Sequence, residues 1–158
     1  MKRPDQIKTA PDQGLGDRVP PGQFLSQKFP VLTYGSSPEV DLASWNLRVY
    51  GLAQRPLVLD WPQIQGLDWT VVTADFHCVT QWSSLDNVWE GVLFSGLVAA
   101  AKPKPEARFV MAHCYGGYTT NLPLDVLIDD DVLLAYRHDG EPLAREHGGP
   151  LRLGVPKR

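Results

Sequence analysis

Alternating hydrophobic and polar positions predict short β-strands along most of this chain. In residues 45–50, Trp45, Leu47 and Val49 alternate with polar neighbours and Tyr50 before Gly51, which predicts a half-buried strand ending at a turn. Further strands are predicted at residues 57–59, 70–76, 108–112 and 132–136, with 108–112 as a buried strand and 132–136 leading into the turn 138–140.

Helix signals are fewer and shorter than strand signals. Asp60 supplies an N-cap acceptor before Trp61-Pro62, so we expect one helical turn reaching Gly66. The apolar spacing from Val92 to Ala101 predicts an amphipathic helix that ends at Lys102-Pro103-Lys104-Pro105, and residues 124–128 predict another turn. The pattern therefore predicts an α+β fold of mostly short, mixed β-strands with a few short helices.

Composition supports one turn-rich domain. The 158 residues are 43% hydrophobic and 21% charged and include 14 Gly, 14 Pro, five Trp, five Tyr and five Phe, which excludes a disordered chain and provides one core. Residues 1–23 hold charges, Pro, Gly and Gln without an apolar stretch, so we expect a flexible N-terminal arm. Residues 24–158 are predicted to form the domain, with no internal repeat.

Charge and hydropathy exclude two classes of partner. The net charge of −3 provides no basic surplus for nucleic acid. The longest uncharged apolar run, residues 91–101, is well short of the ~20 residues of a membrane span. Because residues 1–23 lack the apolar core of a secretory signal, we expect a cytoplasmic protein whose two cysteines are free thiols.

Cys78 is the first candidate for chemistry. It follows the predicted strand 70–76, at the point where strands give way to loops that display functional side chains. A thiolate is a soft metal ligand or a nucleophile, so a metal site and a cysteine hydrolase with a histidine base both remain open. The alternative is a small, buried hydrophobic residue, since free cysteines are often buried.

The dipeptide His-Cys occurs twice, at His77-Cys78 and His113-Cys114, which suggests a zinc site. Adjacent residues of an extended chain point to opposite faces, and the usual Cys-x2-Cys spacing is missing. The spacing therefore disfavours zinc.

Glycine-rich segments are the second class of candidate. In residues 146–152, Gly148 and Gly149 allow close approach of a ligand, Pro150 stiffens the exit and Arg152 suits a phosphate; the alternative is a surface turn before a final strand. Residues 114–121 are either a ligand-facing loop or, as we favour, a hairpin turn. Residues 129–131 lack the alternating oxygen ligands of a calcium loop and are predicted to form a solvated cap.

Seven ordered segments within residues 24–158 give the most specific signal. They are WNLRVYG at 45–51, DFHCVTQWS at 75–83, WEGV at 89–92, GYTTNLPL at 117–124, LLAY at 133–136, DGEPL at 139–143 and HGGPLRL at 147–153. Together they resemble the molybdopterin-binding catalytic domain of the sulfite oxidase-like oxidoreductases. The resemblance is closest to the small bacterial branch that includes the methionine sulfoxide reductase catalytic subunit.

The resemblance implies a sulfite oxidase-type fold that binds molybdenum through one pyranopterin. Cys78 is then the protein thiolate on the metal and the catalytic residue. The cofactor-binding residues implied are Tyr34, Cys114, His147, Gly148, Gly149 and Arg152. The implied reaction is two-electron oxygen-atom transfer on a small sulfur- or nitrogen-oxide substrate, with an unidentified electron-transfer partner.

The sequence departs from the family pattern in two places. Sulfite oxidases carry arginines shortly after the ligand cysteine, whereas residues 79–82 here are Val, Thr, Gln and Trp, which disfavours sulfite as substrate. The family continues after a segment like Val155-Pro156 with an aromatic and lysine-rich stretch, so we expect a C-terminally shortened domain. The alternative function is a cofactor-free or inactive relative that acts as a binding module.

Overall fold

The computed structural model describes residues 18–33 and 35–157. Within these ranges the strands are β1 (Phe24–Leu25), β2 (Asn46–Val49), β3 (Leu57–Asp60), β4 (Trp69–Cys78), β5 (Trp82–Leu93), β6 (Phe109–His113), β7 (Thr119–Pro123), β8 (Leu133–His138), β9 (Glu141–Pro142) and β10 (Arg152–Gly154). The helices are α1 (Trp61–Gln65), α2 (Phe94–Ala101), α3 (Leu124–Leu127) and a 3₁₀ turn at Arg145–His147.

The main sheet is built around β5. Strands β4 and β8 pair with β5 in antiparallel orientation, and β1 pairs with it in parallel orientation. Strand β8 also pairs with β9 and β10, while β2–β3 and β6–β7 form separate two-stranded sheets. The predicted α+β fold of mixed strands and short helices is confirmed.

Strand β5 was not predicted from the sequence. Its residues include two serines, an aspartate and an asparagine, so the period-2 alternation is interrupted, and pairing with β4 and β8 determines the strand instead. The predicted helix start at Val92 is wrong, because Val92 and Leu93 complete β5 and α2 begins at Phe94.

The ends of α1 follow the predicted signals. The Asp60 carboxylate accepts a hydrogen bond from the Gln63 backbone N–H at 2.8 Å, and the Gln63 side chain accepts one from the Asp60 N–H at 2.9 Å. This capping box satisfies two backbone donors that the first turn leaves free, and Gly66 ends the helix.

Strand β6 is not buried as predicted. Phe109 is 65% exposed and Met111 54% exposed, because within the described ranges β6 pairs with β7 alone and one face of this small sheet meets solvent. The preferred prediction for residues 114–121 is confirmed, since Gly116 and Gly117 form the β6–β7 turn with positive φ angles of 85° and 86°.

Two groups of buried side chains form the core. Trp89, Leu133, Ala135 and Leu143 pack together on one side, and Trp45, Ile64 and Val92 form the second group. Trp89 and Val92, three positions apart in β5, thereby connect the two groups to the main sheet. In the described part of the chain, no helix is long and apolar enough to cross a bilayer.

Candidate functional site

Cys78 is the last residue of β4, close to the predicted end of this strand, and it lies directly opposite Trp82 of β5, a strand that the sequence did not predict. A tight turn joins the two strands, and the Gln81 N–H donates to the Cys78 carbonyl oxygen at 2.9 Å. Gln81 has a φ of 69°, in the left-handed region that closes the turn. The turn holds a half-buried thiol at one end of the main sheet.

One hydroxyl in this turn contacts the thiol. Thr80 Oγ1 donates a hydrogen bond to Cys78 Sγ at 3.1 Å. Val79, between these two residues, is 94% exposed, so its side chain makes no contribution to the core. The turn therefore presents the sulfur with a polar neighbour on its solvent side.

A second hydrogen bond to the Cys78 carbonyl oxygen comes from the segment before β1. The Gln23 amide donates to the Cys78 carbonyl oxygen at 3.4 Å, and its own oxygen accepts from Ser83 Oγ at 2.6 Å. Since the single Ser83 proton is used in this way, Ser83 Oγ accepts from His77 Nδ1, 2.9 Å away. His77, Ser83 and Gln23 thus form a chain of hydrogen bonds across β4, β5 and the N-terminal segment.

Arg18 adds a second attachment. Its guanidinium lies 2.7 Å from the Asp75 carboxylate and 2.6 Å from that of Asp86. The hydrogen bond from Arg18 is the main reason that the pKa of Asp75 is lowered. Residues 18–23, assigned to the flexible arm by sequence, therefore contact the β4–β5 hairpin, whereas residues 1–17 lie outside the described ranges.

Aromatic rings line the face of the sheet beside Cys78. Phe76 stacks on Trp82 with centroids 5.3 Å apart and planes at 13°. Phe29 meets the edges or faces of Phe76, Trp82 and Trp89 at 5.3–5.9 Å. Such edge-to-face contacts fix ring orientation, and they produce a rigid apolar wall.

Arg152 lies against this wall. Its guanidinium carbon is 5.5–5.7 Å from the ring centroids of Phe29, Phe76 and Trp89, and Nη1 donates to the His147 carbonyl oxygen at 2.9 Å. Burial lowers the pKa of Arg152, while negative charge at Cys78 opposes that shift. Among the described residues no carboxylate pairs with this cation, and the arrangement suits an anionic ligand.

Two histidines complete the surroundings of Arg152. The His147 ring stacks on Phe29 at 4.3 Å, and His138 Nε2 lies 3.0 Å from Asn87 Oδ1. The Asn87 amide nitrogen donates to carbonyl oxygens, so its Oδ1 faces His138 as an acceptor. Burial is the main cause that lowers the pKa of both histidines, and the Arg152 charge lowers it further.

The two glycines of this loop have internal roles. Gly148 has a φ of 96°, and a Cβ there would meet the Arg152 side chain at 3.5 Å. A Cβ on Gly149 would overlap the carbonyl oxygen of Leu143. Both glycines therefore let the loop fold against its own backbone and seat Arg152, which leaves their contact with a cofactor as a prediction.

The structure brings together only part of the set predicted from sequence. Cys78, His147 and Arg152 lie around one aromatic wall, whereas Tyr34 falls outside the described residues. Cys114 is exposed in the β6–β7 hairpin, where its backbone pairs with Tyr118, and no hydrogen bond in the described ranges joins it to Cys78 or Arg152.

Sequence reasoning missed several residues of the site: Gln23, Phe29, Trp89 and His138. Trp89 and the turn at His138 belong to recognisable sequence segments, but nothing in those segments predicts a role in the site. Phe29 follows Lys28 and precedes Pro30 in a segment without periodicity, so no local pattern indicates that its ring joins the wall.

Comparison with known proteins identifies the family. Residues 34–158 match the oxidoreductase molybdopterin binding domain. The chain is 47% identical over 140 residues to the uncharacterized oxidoreductase YuiH of Bacillus subtilis, covering 88% of this chain and 71% of YuiH. It is also 27% identical over 157 residues to an NADPH nitrate reductase of Emericella nidulans, covering 81% of this chain but only 18% of that enzyme.

A solved structure has the same fold. The sulfane dehydrogenase SoxCD of Paracoccus pantotrophus superposes with a TM-score of 0.67 at 28% sequence identity. The matched region covers 75% of this chain and 35% of the SoxCD chain.

Proposed function

Because this chain belongs to the oxidoreductase molybdopterin-binding domain family, we propose that it holds a molybdenum–pterin cofactor between Cys78 and Arg152 and transfers an oxygen atom to or from a small substrate. The observation that carries this proposal is the half-buried Arg152 cation, which lies beside the aromatic wall next to Cys78 and has no carboxylate partner in the described ranges. A cofactor with an anionic group supplies the missing partner.

The donor set fits this cofactor in three respects. Cys78 offers a thiol, the soft donor that a high-valent metal with sulfur ligands accepts. Arg152 offers a forked cation suited to a phosphate. The indole Nε1 of Trp82, opposite Cys78, is buried and has no hydrogen-bond partner among the described residues, and such a donor fits a ligand that brings an acceptor.

Each residue then has a distinct task. Cys78 binds the metal, Arg152 and His147 hold the pterin phosphate, and the Gln23 side chain orients the peptide that carries Cys78. Phe29, Phe76 and Trp82 exclude water from the side of the sheet, which strengthens the electrostatic contacts of Arg152. The bound cofactor supplies the two-electron redox chemistry and the exchange of the oxygen atom.

The reaction balances with an external electron carrier. In the reducing direction, the oxidised substrate XO takes up two electrons and two protons and leaves as X and water. The electrons come from a one- or two-electron redox protein that binds transiently. In the oxidising direction, water supplies the oxygen atom and the same carrier accepts the two electrons.

We propose a sulfur- or nitrogen-oxide substrate other than sulfite. Residues 79–82 contribute no cation beside Cys78, and Arg152 is assigned to the phosphate, so an anionic substrate lacks a dedicated partner there. The names of two relatives indicate nitrogen or sulfur as the reacting element, since one is a nitrate reductase and the other a sulfane dehydrogenase, and we propose an uncharged oxide of one of these elements.

Metal analysis tests the proposal. Protein produced with active pterin biosynthesis should contain nearly one molybdenum per chain, and Cys78→Ser should abolish this content because a serine hydroxyl, which stays protonated, donates to a metal much more weakly than a thiolate. Cys114→Ser tests the second cysteine separately: Cys114 is exposed in another sheet and is not the proposed metal ligand, so this variant should keep far more molybdenum than Cys78→Ser.

Other results exclude the proposal. Wild-type protein that carries zinc, or no metal, under these conditions contradicts it and favours a cofactor-free binding module. If wild type and Cys78→Ser contain equal molybdenum, the chain binds the cofactor but Cys78 is not the metal ligand.

A further inference from the structure

We propose that Thr80 tunes the redox potential of the metal at Cys78 by donating a hydrogen bond to the ligand sulfur. This inference rests on the proposed function, because it assigns a role to a residue beside the metal ligand. It concerns a tuning residue that acts through the ligand sulfur.

The geometry supports a directed contact. Thr80 Oγ1 lies 3.1 Å from Cys78 Sγ, well within the range for a hydroxyl donor and a larger sulfur acceptor. The hydrogen bond from Gln81 N–H to the Cys78 carbonyl oxygen closes the turn around both residues. The sulfur is the one acceptor that Thr80 Oγ1 uses in the described part of the chain.

The side chain of Thr80 is well suited to this role. A β-branched residue has restricted rotation about χ1, so the backbone of the turn largely sets where its hydroxyl points. Thr80 and its neighbour Val79 are exposed, and neither packs in the core. A contribution of Thr80 to core stability therefore does not explain the contact.

The chemical consequence follows from the acceptor. A thiolate that accepts a hydrogen bond gives less electron density to its metal, which favours the more reduced metal. Hydrogen bonds to ligand sulfurs and the surrounding polarity tune metal potentials in this way. Thr80 is therefore expected to raise the midpoint potential of the bound molybdenum.

The test uses the cofactor-loaded wild-type protein and three variants of the chain. Thr80→Val keeps the shape and removes the hydroxyl, Thr80→Ser keeps a hydroxyl, and Thr73→Val makes the same change at an exposed position of β4 away from the sulfur. A redox titration followed by the Mo(V) paramagnetic signal gives the midpoint potential, and metal analysis gives the molybdenum content.

We expect full molybdenum content in all proteins and a more negative midpoint potential only in Thr80→Val. The sulfur-to-molybdenum charge-transfer band of the oxidised protein should move to lower energy in the same variant, because the sulfur electrons are less stabilised. Thr80→Ser should restore both values towards wild type.

Two results overturn this inference while leaving the proposed function intact. One is a Thr80→Val protein with full molybdenum, the wild-type potential and the wild-type absorption band. The other is an equal shift in Thr80→Val and Thr80→Ser, which identifies side-chain shape as the cause. Wild-type protein without molybdenum overturns both proposals together.

Discussion

At the residue scale, the surroundings of Arg152 decide how strongly the site should bind an anion. It begins β10, its guanidinium lies over three rings, and its one hydrogen bond goes to a backbone oxygen of the preceding loop. Because burial weakens the hydration of this cation, the unliganded site is electrostatically unfavourable. An anionic group bound here relieves that cost, so ligand retention should depend strongly on Arg152.

We predict that Arg152→Ala weakens retention of the pterin. Loss of a charge-assisted hydrogen bond costs about 1.5–3 kcal/mol, which corresponds to roughly a 10- to 150-fold weaker affinity. The assay measures the pterin that stays with the protein through gel filtration, which is released, oxidised and quantified by its fluorescence. Arg108→Ala is the control, since Arg108 is exposed near β6. Equal retention in the two variants contradicts the phosphate-binding role.

Individual polar and sulfur residues of the candidate site could be predicted from the sequence, whereas the aromatic residues around them could not. Cys78 ends a strand and Arg152 follows two glycines, so local rules single out both. Phe29 and His138 join the site only through tertiary contacts, because they lie far apart in sequence and close in space, with ring centroids 5.1 Å apart. Local periodicity carries no information about such a pair.

At the scale of elements, β5 depends on one glycine. Gly91 faces β8, where the pairing shifts register between Glu90 and Gly91. A Cβ at this position would overlap the carbonyl oxygen of Leu134 and the Cα of Ala135. Close packing of the two backbones therefore requires glycine here.

We predict that Gly91→Ala destabilises the protein by about 3 kcal/mol, near the upper end for overpacking, because backbone atoms cannot move aside as a side chain can. Denaturant unfolding provides the measurement. Gly96→Ala is the matched control: a Cβ on Gly96 of α2 has no atom within 4 Å, so this change should stabilise the helix by about 0.5–1 kcal/mol. Equal effects of both substitutions would contradict the packing role of Gly91.

Element boundaries were predictable where a local signal defines them. The capping box of Asp60 and Gln63 marks the start of α1, and the Lys102-Pro103 step marks the end of α2. The central strand β5 was not predictable, because its polar residue Asn87 is satisfied by neighbouring strands, through Ala74 of β4 and His138 of β8. Its conformation is determined by the sheet as a whole.

At the scale of the molecule, the half-buried histidines His138 and His147 couple stability to pH. Burial lowers the pKa of His138 and His147 in the folded state, so the unfolded chain binds more protons below the unperturbed value of 6.5. Their neutral forms therefore favour folding above this pH, and the contribution is lost as the pH falls through the lowered values. Asp139 beside His138 and Glu146 beside His147 reduce the effect without reversing it.

We predict that the free energy of unfolding decreases as the pH is lowered from about 7 to 5, and that His138→Gln reduces the slope. The Gln side chain retains an N–H donor for Asn87 but does not titrate. Denaturant titrations across this range measure the slope, with the exposed His113→Gln as control. An unchanged slope in His138→Gln refutes the assignment of the effect to this buried ring.

The aromatic wall is assembled from residues that are synthesised at very different times. Its rings come from residues 29, 76, 82 and 89, and its cation comes from residue 152, so the first and last parts leave the ribosome far apart in time. The contacts of Phe29 can be completed only after Arg152 and the rest of β10 have been synthesised. Capture of the proposed cofactor at this wall is therefore expected only after Arg152 has been translated.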